Sequence, residues 1–412
     1  MISKIEALNY RALRYIQQPL SPFQVLIGPN ASGKTTFLDV IAFVGETVQQ
    51  STITEVVRER VSDFRDLTWM RGGEVFELAL EVILPDHIAK SYPYLRYEMR
   101  VGIEAGSGEI ALLTENLWLL NESRPKTPSK SSFPDVPTLP DHITRDSGKH
   151  TPSGWRKIIS KTANSDYFRS ETTDWNSNFG FGRQRSALGN LPIDERRFPA
   201  ASWFKTYLAQ GVQKLVLNSE ALRRPSPPQS PKTFLPDGSN LPWVIRSLEE
   251  NAPDQLHDWI NHVRTALPDI EGISTVERPE DRHLYLVVKY ANGLQVPAWL
   301  VSDGTLRMLA LTILAYLPPA PVDSIYLIEE PENGIHPNAV ETVFQSLSSV
   351  YSAQVFLATH SPAVLGLAEP QQLLCFAKNA AGMTDIVRGD QHPKLGKWQN
   401  QVDLATLFAA GF

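Results

Sequence analysis

The chain has 412 residues, of which 42% are hydrophobic and 20% charged, and its net charge is −6. That length holds one large domain with an insertion or two to three smaller ones, and the composition is that of a globular protein. The single cysteine, Cys375, excludes an internal disulfide and points to the cytoplasm. No apolar run approaches the ~18 residues of a membrane span, so no membrane is expected. The charge is uneven: residues 123–236 hold 18 Lys and Arg against 9 Asp and Glu, a balance of +9 that leaves −15 on the rest. A basic middle in an acidic frame suits a local anionic partner such as DNA or RNA, and suits a solvated insertion equally well.

In chain order, MISKIEALNYRAL lacks the apolar core of a leader segment and reads as a strand, with Arg11 just after it. Val25, Leu26 and Ile27 form a short buried strand. It runs into Gly28-Pro29-Asn30-Ala31-Ser32-Gly33-Lys34-Thr35-Thr36, which fits G-x-x-x-x-G-K-[ST] at every fixed position. Phe37, Leu38, Ile41 and Ala42 then recur at helical spacing. Strand, glycine loop and helix are the context the phosphate-binding loop requires. Glycines let successive N–H groups converge on phosphate oxygens, and the helix start adds positive potential. Lys34 reaches toward the β- and γ-phosphates and the Thr35 hydroxyl toward Mg²⁺.

Residues 75–83, 95–104 and 109–119 read as strands of an antiparallel layer. From 122 to 182 proline, serine and threonine dominate, which predicts a flexible, partly disordered insertion. Within it WRKIISK (155–161), with Arg156, Lys157 and Lys161, reads as a short basic helix. Residues 199–210 read as a helix, KLVLNSEALRRPSPP (214–228) as a strand entering a loop, and 241–268 as two helices parted near Pro253. Residues 283–300 read as a hairpin. No internal repeat and no sustained heptad pattern is present, which excludes long coiled-coil arms.

Three further stretches carry candidate chemistry. In WLVSDGTLRMLAL (299–311), Ser302, Asp303 and Gly304 make a polar turn before a helix, and an N-cap accounts for Ser302 and Asp303 on its own. In SIYLIEEPENGIHP (324–337), a buried strand ends in Glu329-Glu330, where ligands bind in open α/β sheets. One carboxylate can hold a metal shell and the other polarise water, or the pair is a surface turn. In AQVFLATHSPAVL (353–365), a third strand is followed by His360, either a phosphate sensor or a loop residue.

These pieces together resemble the ABC-type ATPase heads of the SMC, RecF and overcoming-lysogenization-defect proteins. More closely, they look like the stand-alone AAA/ABC ATPases of bacterial defence operons. GPNASGKTT, LVSDGTLR, LIEEPENGIHP and ATHSP carry the resemblance, with softer likeness in LPDGSNLP (235–242) and the tail VDLATLFAAGF. The resemblance implies an α/β fold: an ABC-type P-loop head with a mixed central sheet, helices and an antiparallel β layer. It would be split into residues 1–121, a basic insertion 122–182, and 183–412. ATP and Mg²⁺ are the implied cofactors. Residues 28–36 would hold the phosphates, Thr35 and Glu329 the metal, Glu330 would be the catalytic base, and His360 the switch. Glu329 departs from the usual aspartate, so contact through water is expected. Arg11 would touch the nucleotide. Ser302, Asp303 and Gly304 would cap the γ-phosphate held by a second subunit, giving a homodimer with two ATP molecules sandwiched between loops and signature turns. Asn333 would lie in the cross-dimer loop. The glutamine that completes the Mg²⁺ shell has no evident match, since Gln49 and Gln50 come too early.

The implied role is a switch in antiphage defence that gates an effector, a nuclease or toxin encoded nearby. The chain runs only about 50 residues past His360, too short for a usual fused nuclease domain. A RecF-type DNA-repair or DNA-maintenance ATPase is the alternative. A transporter nucleotide-binding subunit fits less well, given the insertion and the SDGT variant.

Overall fold

A computed structural model describes residues 1–122, 132–145, 151–162, 165–320 and 322–393. The tail stretch VDLATLFAAGF (402–412) lies outside them. The chain forms two compact units. One comprises Met1–Ser21, Leu26–Val212 and the described part of Leu373–Lys397; the other comprises Pro22–Val25 and Gln213–Gln372.

The first unit opens with β1 (Ile2–Tyr10) and β2 (Leu13–Pro19), followed by β3 (Phe23–Ile27), whose last two residues belong here. The helix Lys34–Gln49 follows. Then come β4 (Val75–Ile83), β5 (Tyr94–Ile103), β6 (Ile110–Leu120), β7 (Trp155–Lys161), β8 (Asp166–Arg169) and β9 (Asn176–Phe179). An eight-stranded antiparallel sheet results, in the order β2-β1-β4-β5-β6-β7-β8-β9. Successive side chains on a strand point to opposite faces. On β4 and β5 one face is therefore apolar, with Phe76, Leu78, Leu80, Leu95, Tyr97 and Met99, all buried. The other face carries Glu77, Glu81, Arg96 and Glu98, which are buried as well.

Burying that charged face demands partners. Arg96, 1% exposed, lies opposite Glu81 in the ladder. It donates to Glu6 at 2.8 Å, Glu81 at 3.0 Å and Glu98 at 2.6 Å. Residues 142–145 supply the rest. Glu77 accepts from the backbone N–H of Ile143 at 2.7 Å and of Thr144 at 2.8 Å, and pairs with His142 Nδ1 at 2.8 Å. Glu98 accepts from Arg145 N at 3.0 Å, and Arg96 donates to Ile143 O at 3.2 Å.

The stretch expected to be a short basic helix is strand β7, and β7 to β9 extend the sheet from an insertion expected to be flexible and partly disordered. Composition averaged over 60 residues hides a period-2 pattern that becomes stable only against β6, where Leu117 lies opposite Ile159 and Leu120 opposite Trp155. The cations of this stretch also work inside the unit. Lys161 is buried and pairs with Asp166, Arg156 donates to Ser170 O at 2.7 Å, and Lys157 sits over the Trp118 ring. The helix Pro199–Gly211 closes this part of the chain.

The second unit contains the remainder of β10 (Val212–Leu215), then β11 (Ile270–Glu277), β12 (Leu284–Tyr290) and β13 (Gln295–Pro297), which form an antiparallel meander. Its helices Leu241–Asn251 and Pro253–Ala266 part at Pro253, as the proline requires. β14 (Ser324–Glu329) and β15 (Ala353–Ala358) run parallel, paired from Ser324↔Ala353 to Glu329↔Ala358, with the helix Pro337–Ser348 as crossover. Strand order here is β10-β14-β15-β3. The segment 214–228, expected as strand and loop, also holds the short helix Ser219–Arg223. The first unit is completed by the antiparallel pair β16 (Leu373–Lys378) and β17 (Thr384–Arg388), in the order β3-β16-β17.

Candidate nucleotide site

In the first unit the loop after β3 is shaped by positions that only glycine fills. Gly28 has φ +145°, and a Cβ there would stand 2.3 Å from Phe376 O. Gly33 has φ +106°, and its Cβ would meet Thr384 Oγ1 at 2.7 Å. The Thr384 hydroxyl donates to Ser32 O at 2.8 Å, so β17 braces the loop from behind. Gly33 is the N-cap of the helix Lys34–Gln49 and offers no side-chain cap. The helix start therefore presents backbone N–H groups and the positive end of the helix dipole without a capping side chain over them. Lys34 donates from Nζ to Gly28 O at 2.7 Å and Pro29 O at 3.1 Å, spanning the loop. Pro29, Asn30, Ala31 and Thr35 are exposed, and Thr36 is half-buried. A glycine cradle, an uncapped helix start and an ammonium group fit a nucleotide's phosphates, and the Thr35 hydroxyl fits a magnesium ion held with them.

Arg11 has φ 47°, a strained conformation for a non-glycine residue. Its N–H donates to Leu67 O at 2.9 Å, and its guanidinium reaches Asp39 on the loop helix at 3.3 Å. Asp39 also accepts from Arg60 Nε at 2.9 Å and from the Tyr10 hydroxyl. Burial, reinforced by Asp39, pushes the Tyr10 phenol well above its ordinary range. Gln49 ends the helix that Lys34 begins, roughly 20 Å away at 1.5 Å per residue, and Gln50 bonds Glu59 at 3.0 Å.

In the second unit Glu329 closes β14, and its Oε1 lies 3.3 Å from Lys214 Nζ. Glu330 is exposed with φ 48°. Its N–H continues the ladder to Ala358 O at 2.7 Å, and Asn333 donates to its carboxylate through Nδ2 and to its carbonyl through N. A left-handed non-glycine residue costs about 1–3 kcal/mol and persists where its surroundings fix it. Here Asn333 does so from within the same loop, so an intramolecular role accounts for that residue. His360 follows β15 and is half-buried.

Ser302 caps the helix Asp303–Thr312, its Oγ accepting from Thr305 N at 3.2 Å. Asp303 pairs with Arg223 at 2.9 Å, and Arg223 also donates to Val301 O at 2.9 Å, so the turn is held from both sides. A Cβ on Gly304 would stand 2.4 Å from Gly334 O, which gives this glycine a packing reason within its own unit. Ser302 and Asp303 are exposed and Gly304 half-buried.

The sequence profile of a family described as "AAA domain, putative AbiEii toxin, Type IV TA system" matches residues 23–366. The chain belongs to that family. Among solved structures, the Smc head bound to the C-winged helix domain of ScpA is 14% identical over 94% of this chain and 96% of that one, with a TM-score of 0.52. The SMC head domain from Thermotoga maritima is 11% identical over 94% of this chain and 98% of that one, with a TM-score of 0.45. No curated protein matches. At such identity the first likeness shows the fold alone: a mixed α/β fold like that of the Smc head. Among the described residues no helix is long and apolar enough to cross a membrane.

Sequence reasoning missed several residues that shape the candidate loops of each unit. Thr384 and Phe376 close the loop from about 350 positions away, and nothing local marks them. Glu332 accepts from Thr359 Oγ1 at 2.5 Å, while its second oxygen is buried without a partner among the described residues. A lone buried acceptor costs about 1–3 kcal/mol. The acidic run EEPE was visible in the sequence; which acid faced outward was not.

Proposed function

We propose that the chain binds and hydrolyses ATP, and that its ATP-bound state pairs two copies and gates a partner effector in antiphage defence. The observation that carries the nucleotide reading is the glycine-built loop at an uncapped helix start, spanned by the Lys34 ammonium. In this reading the loop N–H groups of residues 28–36 and Lys34 hold the triphosphate, and Thr35 and Glu329 hold Mg²⁺. The metal, when bound, neutralises charge on the β- and γ-phosphates. Glu330 takes the proton of the attacking water, and the Asn333 amide keeps its carboxylate aimed. His360 donates to the γ-phosphate. Arg11 serves the nucleotide through its link to the loop helix. Ser302, Asp303 and Gly304 present their turn to the nucleotide of the second copy.

The family description, with its toxin and toxin–antitoxin wording, supports the defence role and a partner protein. The domain division at 121/122 and 182/183 belongs to the same proposal. DNA or RNA binding through the basic insertion would have to use cations other than Arg156, Lys157 and Lys161, which are engaged inside their unit.

Phosphate release and ATP binding test it together. Glu330→Gln should lower kcat by about 10²–10⁴ while ATP affinity holds. Lys34→Ala should lose binding. Ser302→Arg should bind ATP yet neither pair nor hydrolyse, and mixing it with Lys34→Ala should restore about one working site per heterodimer. Unchanged hydrolysis in Glu330→Gln, or a mixture as inactive as its components, would reject the base or the shared site respectively.

A further inference from the structure

One side-chain bridge joins the loop after β14 to the loop after β15. The Thr359 hydroxyl is fully buried. It donates to Glu332 Oε1 at 2.5 Å and accepts from Ser361 N at 2.9 Å. A hydroxyl has one proton and two lone pairs, so it serves both partners at once. The donated bond ends on a carboxylate and has the short length of charge-assisted bonds.

The bridge brackets His360. Thr359 precedes it, and Ser361, the N-cap of the helix Pro362–Leu367, follows it. The imidazole itself has no hydrogen-bond partner among the described residues, so the backbone that carries it is what fixes where the side chain starts. At the other end, Glu332 sits in the loop that Asn333 ties to Glu330. The 330–333 loop is thus closed on itself at one point and fastened across to the His360 peptide at another.

We infer that Glu332 and Thr359 are positioning residues: their bridge holds His360 at a fixed distance from the loop that carries Glu330. This inference rests on the proposed hydrolytic reading for its effect on rate, but the bridge itself has a readout without catalysis. Misplacement of a reacting group by about 1 Å can cost on the order of 10² in rate, while binding made elsewhere survives.

The test compares Thr359→Val, which keeps the shape and removes the hydroxyl, with Thr359→Ser, which restores it. ATP hydrolysis gives kcat and KM, thermal melting reports folding, and mass-spectrometric mapping gives the rate at which diethyl pyrocarbonate modifies His360. The expected result for Thr359→Val is a kcat at least ~10-fold lower, a KM within about twofold, and a severalfold faster modification of His360. Thr359→Ser should return all three toward the parent. Should Thr359→Val fold poorly, Glu332→Gln keeps volume and an acceptor while weakening the bond, and a smaller shift in the same direction is expected. A valine variant, or a glutamine variant standing in for it, with parental kcat and parental His360 reactivity would overturn the bridge. So would valine and serine variants that fall equally, in step with their melting temperatures. If the parent chain shows no Lys34-dependent hydrolysis, the ATPase reading fails instead, and the bridge is judged on His360 reactivity: faster in valine and restored in serine supports it, unchanged overturns it.

Discussion

The glycine loop after β3 and the buried face of the eight-stranded sheet lie in the same unit, and they are built on opposite terms. The loop is a backbone device: Gly28 and Gly33 adopt conformations and approaches closed to other residues, and N–H groups do the work. The sheet face is a side-chain device: Arg96 is satisfied by three carboxylates from β1, β4 and β5, and Glu77 by the His142 ring and the N–H groups of Ile143 and Thr144. A backbone device restricts residue type at fixed spacing and so marks the sequence. A side-chain network scatters ordinary charges over strands far apart, and each looks like a solvent-facing residue until its partners arrive.

Breaking each device should therefore fail differently. The largest effect is expected for Arg96→Met, which leaves Glu6, Glu81 and Glu98 buried around a lost cation. Losing one partner of a buried network typically costs about 3–5 kcal/mol, read here as a lower urea midpoint. Gly28→Ala should cost about 1–3 kcal/mol from backbone strain, more with the Phe376 clash, and much of it should appear as a ~10–100-fold loss of ATP affinity in titration calorimetry. Gly33→Ala should lose less, because the Thr384 side chain it meets can rotate whereas a carbonyl cannot. Equal losses at the two glycines would break the backbone account.

Glu77→Ala should cost about 1–3 kcal/mol and open residues 142–145 to limited proteolysis while leaving ATP binding intact. The smallest effect is a pH slope. Glu171 accepts from Ala200 and Ala201 N–H at 2.9 Å each, yet burial pushes its carboxyl from 4.5 up to about 7. The folded state thus holds a proton that the unfolded chain releases. Its contribution is full below pH 4.5 and is lost as pH rises through about 7. Melting temperature should fall by a few degrees across that window, and Glu171→Gln should flatten the slope.

Much of the fold was legible where period and punctuation agreed. The strands expected at 75–83, 95–104 and 109–119 are observed within one residue at either end, and Pro253 parts its two helices as expected. β7 was not legible, because Arg156 and Lys157 suggested a solvated helix and the pairing that makes a strand lies on β6. Among the candidate residues, the loop position of the glycines and Lys34 was legible from their spacing, and that of Glu329-Glu330 from the end of an apolar strand. Thr384, Glu332 and Thr359 were not, because hydroxyls and acids of that kind acquire meaning only through a distant partner.

The bond from Thr384 to Ser32 spans 352 positions. At 5–20 residues per second, synthesis needs roughly 20–70 s to travel that far. For all of that interval the nascent chain owns the complete fingerprint of the loop but lacks the strands that back it. The bracing of the loop thus waits on the making of β17, and a nascent chain that has not reached Thr384 carries the loop's sequence without the bond behind it.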